Sequence, residues 1–321
     1  MQQIDNDSGK KPEDDRWERK ALENVALAAI TEQRRSRRWG IFFKLLGLAY
    51  ISLILALVID WGQTEGFADG QKITALVNVT GVIDSSDASA ENLGSALKEV
   101  YEDKHTAGVI LRINSPGGSP VQAGMMNDEI RRLRRLHPTI PVYVVVEDVC
   151  ASGGYYVAVA ADKIFVDKAS IVGSIGVLMD GFGFTGTMDK LGVERRLLTA
   201  GENKGFLDPF SPQTPQQKDF ALKMLGEIHA QFIDVVRRGR GQRLKETPEM
   251  FSGLMWSGAK SIEMGLADGY GTVESVARDV IKAEVIHDFT VKPNIAEKFA
   301  KRFGADMAEG MANAVSRVTV H

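Results

Sequence analysis

Ser152 lies in a stretch whose residue types could support nucleophilic catalysis. An apolar, β-branched run over 142–146 predicts a buried strand, 147–151 a short turn, and 155–161 an apolar helix. The Ser152 hydroxyl would lie near the positive end of that helix, and the two following glycines would let another backbone approach closely. This is the mechanical logic of a nucleophile elbow, although the G-x-S-x-G pattern of the α/β-hydrolases is absent. A serine here could also serve only as a helix N-cap.

Two further loops carry complementary groups and also follow predicted strands. The NSPGGSP loop at 114–120 contains Gly117 and Gly118, whose backbone N–H groups no side chain would shield, as an oxyanion hole requires. The loop 201–214 contains Lys204, which can act as a general base if desolvation lowers its pKa from about 10.4 towards neutrality. Taken singly, Lys204 is typical of a solvated lysine and the PGG triplet of a turn. Because ligands of parallel sheets collect at the carboxyl ends of strands, we expect the three loops to meet.

The composition disfavours other kinds of site. Cys150 is the only cysteine, which excludes an internal disulfide framework and a multi-cysteine metal site, and we interpret it as a packing residue. The five histidines form no H-x-x-x-H or H-E-x-x-H pattern, so neither a metal nor a cofactor is predicted. A net charge of −3 gives no basic field that would indicate nucleic-acid binding.

The elements that must position these loops alternate between strand and helix, which predicts βαβ units and a parallel sheet in one α/β domain. The predicted strands are 73–83, 108–113, 142–146, 163–166, 194–199, 266–270 and 285–291. The predicted helices are 90–102, 121–136, 155–161, 185–191, 215–238, 248–251, 259–264 and 272–283.

The N-terminal part predicts a membrane anchor. The apolar segment 39–59 is long enough, at about 1.5 Å per residue, to span a bilayer of about 30 Å. Arginines precede it and acidic residues follow it, which predicts a cytoplasmic N-terminus. A cleaved signal peptide is the alternative, disfavoured by the long N-terminal extension and the poor cleavage site. The expected organisation is a cytoplasmic segment 1–38, the anchor 39–59, a stalk 60–71, a soluble domain 72–293 and a helical tail 294–321.

Four stretches, in order, resemble the SppA-type signal peptide peptidases, a family of membrane-bound serine peptidases. They are LRINSPGGSP (111–120), VCASGGYYVAVAADKIF (149–165), IVGSIGV (171–177) and TAGENKGFLDPFSP (199–212). The resemblance extends over about 73–291, and the anchor and length are similar to the short, single-domain branch. It implies a crotonase/Clp-protease-like α/β fold, a βαβ superhelix, preceded by one N-terminal transmembrane helix, with 72–293 as the serine peptidase domain.

The resemblance also implies roles for individual residues. The nucleophile falls on Ser152 and the general base on Lys204, 52 residues further along the chain. A second serine, expected to hydrogen-bond the lysine amine, falls on Ser174. The oxyanion donors are expected from Gly118, with Gly153 beside the nucleophile. A carboxylate of Glu202 near the amine would raise the lysine pKa and weaken the base.

The implied function is hydrolysis of remnant signal peptides in or at the bacterial inner membrane, by a single-pass protein whose catalytic domain faces the periplasm. The implied partners are peptide substrates, membrane lipid and further copies of the chain, in an octamer whose serines and lysines come from neighbouring protomers. Five apolar residues could line a specificity pocket, although core positions are favoured for them: Met179, Phe182, Phe184, Phe206 and Phe210.

Two other functions fit parts of the pattern. A crotonase-type acyl-CoA enzyme would use paired backbone N–H groups to polarise a thioester, but an extracytoplasmic location would deny it CoA. A non-catalytic membrane scaffold could keep the fold without the activity, although both Ser152 and Lys204 are present.

Overall fold

The computed structural model describes residues 14–58, 70–86 and 88–291. These residues belong to two units, and the described part of the first unit is one helix, α1 (Asp14–Val58). Across the described ranges, no helix combines the length and apolarity needed to cross a membrane. Most of the predicted stalk, the residues 60–69, and the predicted tail 294–321 lie outside the described residues.

The second unit is built on one mixed sheet, with eight strands among the described residues. The order across it is β6 (Met255–Ser257), β5 (Ile171–Gly173), β3 (Val142–Ala151), β2 (Thr106–Ser115), β1 (Ile73–Thr80) and β8 (Val285–Asp288). Strand β4 (Lys163–Val166) pairs with β3 and with β7 (Gly269–Tyr270). All of these strand pairs are parallel, as the alternation of strands and helices predicted, except the antiparallel pair of β5 and β6.

Strand β3 is longer than predicted, because the supposed turn 147–151 continues the strand. Its first half pairs with β4, and its last three residues pair with β5 instead. Glu147 and Asp148 lie exposed at this change of partner, so their polarity does not interrupt the strand. The strand therefore ends immediately before Ser152.

Helices connect the strands, and local sequence signals set their starts. The helices are α2 (Ala90–Glu102), α3 (Pro120–Leu136), α4 (Gly153–Ala158), α5 (Thr185–Leu191), α6 (Pro215–Arg240), α7 (Gly258–Glu263) and α8 (Val273–Ser275), the last continued by a π-helical turn, Val276–Ile281. The Ser119 side chain accepts a hydrogen bond from the Gln122 N–H, with Pro120 at the first helical position. Thr214 and Gln217 form a capping box at the start of α6.

Several short elements differ from the prediction. The segment 194–199 is irregular rather than a strand, since its residues are all exposed and Leu198, 96% exposed, packs on nothing. The segment 248–251 is a turn, and the strand predicted over 266–270 shrinks to two residues. Strand β6 was not predicted; it closes one side of the sheet.

The core lies on both faces of the sheet, which explains why the strand sequences are continuously apolar. One face packs against α2, α3, α4 and α6. On the other face, Ile110, Val145 and Phe165 pack against α8 and the π-helical turn. Helix α6 approaches α4 closely: a Cβ atom at Gly239 would lie 2.2 Å from the Val159 carbonyl oxygen. This approach holds the C-terminal part of α6 against the end of α4.

Candidate active site

Ser152 occupies the turn between β3 and α4 in a strained conformation, with φ of 50° and ψ of −121°. Its backbone N–H donates to the Gly173 carbonyl at 2.8 Å, and its carbonyl accepts from the Tyr156 N–H at 3.0 Å. The hydroxyl makes no capping hydrogen bond to α4, so the N-cap interpretation is wrong. A positive φ at a non-glycine residue is costly, so the surrounding structure has to hold Ser152 in this conformation.

The loop before α3 has glycines where no other residue fits. Gly117 and Gly118 have φ of +100° and +150°. A Cβ atom at Gly117 would lie 2.7 Å from the Ser152 Cβ, and one at Gly118 would lie 2.2 Å from the Ile83 carbonyl oxygen. Hydrogen bonds from the Ile83 N–H to the Gly117 carbonyl and from the Ser119 N–H to the Ile83 carbonyl fix the loop, at 2.8 and 2.7 Å.

Two backbone donors meet beside Ser152. The Gly118 nitrogen lies 3.2 Å from the position that a Cβ atom of Gly153 would occupy. As the first residue of α4, Gly153 has no intrahelical acceptor for its N–H. Within the described part of the chain, the Gly118 N–H makes no backbone hydrogen bond outside the regular elements. Both N–H groups are therefore available to an anionic oxygen, as an oxyanion hole requires.

A cavity of about 570 Å³ contains these groups. Ser152, Ser174, Gly118 and Gly153 line it together, so four of the five predicted site residues share one cavity. Its other walls are largely apolar and come from the segment after β5 and from α6: Val177, Leu178, Ile228 and Phe232. Tyr156 and Gln231 line it as well. The cavity is suited to an apolar side chain of an extended substrate.

Ser174 resembles Ser152 in its backbone conformation. Its φ is 51°, and its N–H donates to the Leu254 carbonyl at 2.8 Å. Ser174 directly follows Gly173, the residue whose carbonyl holds the Ser152 N–H. The end of β5 therefore sets the positions of both serines.

Lys204, the fifth predicted residue, lies outside the Ser152 cavity of this chain. It is exposed in a series of turns, and its N–H donates to the Gly201 carbonyl at 3.1 Å. No ion pair within 4.0 Å joins it to Glu202 among the described residues. The expectation that all three loops meet is therefore wrong within a single chain. The segment 176–220 contains no buried residue, so the loop that carries Lys204 is not packed into the core of the domain.

The five aromatic and methionine candidates for a specificity pocket lie elsewhere. Met179 and Phe182 line a separate cavity of about 590 Å³. Phe184 stacks on Phe210 with ring centroids 5.4 Å apart, and Phe206 meets Phe220 edge-on at 5.5 Å. None of the five is buried, so the preferred interpretation of these residues as core is wrong.

Sequence reasoning missed the contribution of α6 to the site. Ile228, Gln231 and Phe232 line the cavity at spacings of three and four residues, which place them on one face of a helix. That periodicity was available in the sequence, but nothing in it indicated which pocket the face borders. The packing interpretation of Cys150 is confirmed, because the residue is fully buried and burial raises the pKa of its thiol.

Comparison with known proteins identifies the family. The sequence profile of peptidase family S49 matches residues 134–286. A protein of Methanocaldococcus jannaschii named putative protease MJ0651 is 31% identical over 248 residues, which cover 74% of this chain and 78% of that protein. The chain belongs to peptidase family S49. The recognition of an SppA-type peptidase is thereby confirmed.

Two further relatives place this S49 chain among proteins of different length. A protein of Enterococcus faecium named putative signal peptide peptidase SppA is 28% identical over 289 residues, covering 79% of this chain and 83% of that protein. A protein of Brucella abortus named Na(+)/H(+) antiporter NhaA is 44% identical over 202 residues, covering 62% of this chain. The chain spans 27% of the length of that Brucella protein.

Proposed function

We propose that this chain is a serine endopeptidase whose nucleophile is Ser152. The observation that supports this most directly is the strained Ser152 turn beside the N–H groups of Gly118 and Gly153, which have no hydrogen-bond acceptor among the described residues. In the proposed reaction the Ser152 Oγ attacks a peptide carbonyl carbon, and the two N–H groups stabilise the oxyanion. Collapse of the tetrahedral intermediate releases the amine and leaves an acyl-enzyme, which water then hydrolyses.

The base in this proposal is the neutral amine of Lys204. It takes the Ser152 proton during attack and delivers it to the leaving amine, and it then activates the hydrolytic water in the same way. Ser174, in the same cavity as Ser152, would hold the amine by a hydrogen bond. The only titratable side chain among the described residues lining the cavity is Tyr156, and burial raises the pKa of its hydroxyl. Tyr156 is therefore unsuited to be the base.

We assign that lysine to a neighbouring copy of the chain. Lys204 of the same chain lies outside the cavity, and in this proposal a second protomer supplies the amine. The apolar side chains of 176–220 support this arrangement: Phe182, for example, is 80% exposed in the single chain. Exposed apolar surface of this extent is typical of an interface. A homo-oligomer, an octamer as the family resemblance implies, would bury it and complete each Ser–Lys dyad.

The proposed substrates are remnant signal peptides, and the proposed location is the bacterial inner membrane, with the catalytic domain on the periplasmic side. Residues 39–59 would be the anchor, with the N-terminal segment in the cytoplasm. The apolar walls of the Ser152 cavity suit the apolar central region of such peptides. The name of the Enterococcus relative agrees with this substrate class.

The decisive experiment co-expresses two inactive variants of the full chain and assays the assemblies in detergent. Ser152→Ala and Lys204→Ala should each lower kcat for a synthetic signal peptide by several orders of magnitude. Co-expressed, they should regain up to about a quarter of the wild-type activity, because random assembly pairs an intact serine with an intact lysine in that fraction of interfaces.

Other outcomes would contradict parts of the proposal. Activity retained by Lys204→Ala would exclude it as the base. Two inactive variants without recovery on co-expression would place both groups of the dyad within one chain. A correctly assembled wild type that neither cleaves peptides nor reacts with fluorophosphonates would favour the scaffold, and CoA binding would favour the acyl-CoA enzyme.

A further inference from the structure

A second cavity, lined by arginines, adjoins the Ser152 cavity. It has a volume of about 710 Å³ and lies between α3 and α6. Tyr156 and Gln231 line both cavities, so the two are neighbours that share a wall. Four arginines line the second cavity: Arg131, Arg135, Arg237 and Arg238.

Three of these arginines have no carboxylate partner within the described part of the chain. Arg237 is occupied, since its guanidinium bonds both oxygens of Glu246 at 2.8 Å. Among the described residues, no carboxylate lies within 4.0 Å of the guanidinium nitrogens of Arg131, Arg135 or Arg238. The carboxylates of Asp128 and Asp234 also line the cavity without pairing to these arginines. Counting only the described residues, the second cavity therefore contains three cations without a carboxylate partner and two carboxylates.

A buried asparagine, Asn127, connects Arg131 to α4, the helix that follows Ser152. The Asn127 side chain, 2% exposed, accepts from the Arg131 Nε at 2.8 Å and donates to the Tyr156 carbonyl at 2.6 Å. Asn127 thus ties the guanidinium of α3 to α4, the helix that Ser152 precedes. Its terminal nitrogens retain donors for a ligand, since a guanidinium has five N–H groups.

The electrostatics around Arg131 favour an anion. Burial and the nearby charges of Arg238 and Arg135 lower the pKa of Arg131, while the Asp128 carboxylate acts in the opposite direction. A bound carboxylate would relieve the repulsion between the arginines and could accept two parallel N–H bonds from one guanidinium.

We propose that Arg131, Arg135 and Arg238 form a subsite that binds a carboxylate of the peptide substrate, a few residues from the bond that Ser152 cleaves. The inference rests on the proposed peptidase function, because the ligand is part of its substrate. The carboxylate is either the free C-terminus or an acidic side chain near it. A peptide released by an earlier endopeptidase cleavage has a C-terminal carboxylate that its precursor lacks. The subsite would therefore favour released peptides over intact precursors.

The test measures binding rather than turnover, so it does not depend on catalysis. Full-length Ser152→Ala protein is titrated with a fluorescent apolar peptide, prepared as the free acid, as the C-terminal amide, and as the amide with one glutamate near the C-terminus. We expect the free acid or the glutamate peptide to bind about tenfold more tightly than the plain amide. Which of the two does so identifies the source of the carboxylate.

Variants then locate the effect. Adding Arg238→Gln, or Arg131→Gln with Arg238→Gln, should remove most of the preference, and added salt should weaken it. Arg238 is exposed, so the single substitution leaves the core intact. Arg132→Gln is the matched control: this arginine is on the same helix but pairs with Glu129 at 2.7 Å, and the preference should persist.

Two results would overturn the subsite. One is equal affinity for all three peptides. The other is binding of anionic phospholipid vesicles that depends on Arg131 and Arg238 while peptide affinity does not, which would make the second cavity a lipid headgroup site. Failure of the proposed function itself shows differently, as a wild type that binds these peptides with the predicted preference but cleaves none of them.

Discussion

The Ser152 N–H and the Gly173 carbonyl are joined by a hydrogen bond of 2.8 Å, which fixes the serine turn to the end of β5. The next residue in that strand's path is Ser174, and both serines have a φ near +50°. Two strained residues on either side of one hydrogen bond indicate that the sheet holds them in place, since neither conformation is favourable alone. The pairing of β3 with β5, and not a single loop, therefore positions the two serines of the site.

The glycine loop gives the first prediction. Gly118→Ala should lower kcat about a hundredfold, because the new Cβ would meet the Ile83 carbonyl and displace the N–H that is proposed to stabilise the oxyanion. Steady-state kinetics with a synthetic signal peptide measures this, with circular dichroism to confirm folding. The control is Gly94→Ala, in α2, where nothing lies within 4 Å of the added methyl group. Equal activity of both variants would exclude Gly118 as an oxyanion donor.

A second prediction concerns the contact between α4 and α6. Gly239→Ala should destabilise the protein by about 1–3 kcal/mol, because its Cβ would lie 2.2 Å from the Val159 carbonyl oxygen and force the helices apart. Gly226→Ala, on the same helix with nothing within 4 Å of its Cβ, should stabilise by about 0.5–1 kcal/mol. Thermal unfolding of both variants measures the difference. Similar melting temperatures would show that α6 can move away at no cost, and that its cavity wall is not fixed.

Most of the sheet could be predicted from the sequence, because parallel strands that are buried on both faces have continuously apolar sequences. The runs at 142–146 and 163–166 and the turn cluster at 114–120 were sufficient for the sheet and two loops of the site. The continuation of β3 through Glu147 and Asp148 was not predictable from polarity, because it depends on pairing with β5. Position in the sheet outweighed local preference there.

The position of Lys204 could not be derived from the sequence for a different reason. The strands β3 and β5 position Ser152 and Ser174, which directly follow them. Lys204 instead lies in the segment 176–220, which has no buried residue in the single chain. Under the function proposed above, contacts with a second copy of the chain would bring it to a catalytic serine. The sequence of a single chain indicates contacts with other copies only through its apolar residues, and it does not show which of them are exposed.

A third prediction follows from the ion pair that locks the end of α6. Arg240, 1% exposed, donates to Asp268 at 2.9 Å, and the Ile164 N–H donates to the same carboxylate at 2.7 Å. Burial alone would raise the pKa of Asp268, but its bond to Arg240 lowers it below the usual value. Because the carboxyl has a lower pKa in the folded than in the unfolded protein, its ionised form stabilises the fold at pH values above the unfolded-state pKa. This stabilisation is lost as the pH falls through the folded-state pKa. Stability should therefore decrease below about pH 4.

Substitution separates this pair from the other carboxylates. Asp268→Asn should cost about 3–5 kcal/mol at neutral pH, because it leaves the Arg240 charge buried without a partner. Its unfolding free energy should also depend less on pH in the acid range than that of the wild type. Asp279→Asn, which breaks only an exposed pair with Arg278, should change neither quantity measurably. Chemical denaturation at pH 7 and in the acid range tests both, and equal effects of the two substitutions would disprove the role of Asp268.

The last prediction concerns substrate choice. Ile228 lines the Ser152 cavity from α6 and is only partly buried, so its side chain can be shortened without opening the core. Ile228→Ala should lower kcat/KM about tenfold for peptides with a large apolar residue beside the cleaved bond, since the pocket loses contact area worth about 1–3 kcal/mol. Peptides with alanine at that position should be cleaved almost as well as by the wild type, which separates a pocket effect from damage to the catalytic groups. An equal loss of kcat/KM for both peptides would mean that Ile228 positions the site instead of contacting the substrate. An unchanged kcat/KM for both peptides would place the specificity pocket elsewhere, and the cavity lined by Met179 and Phe182 would be the next candidate.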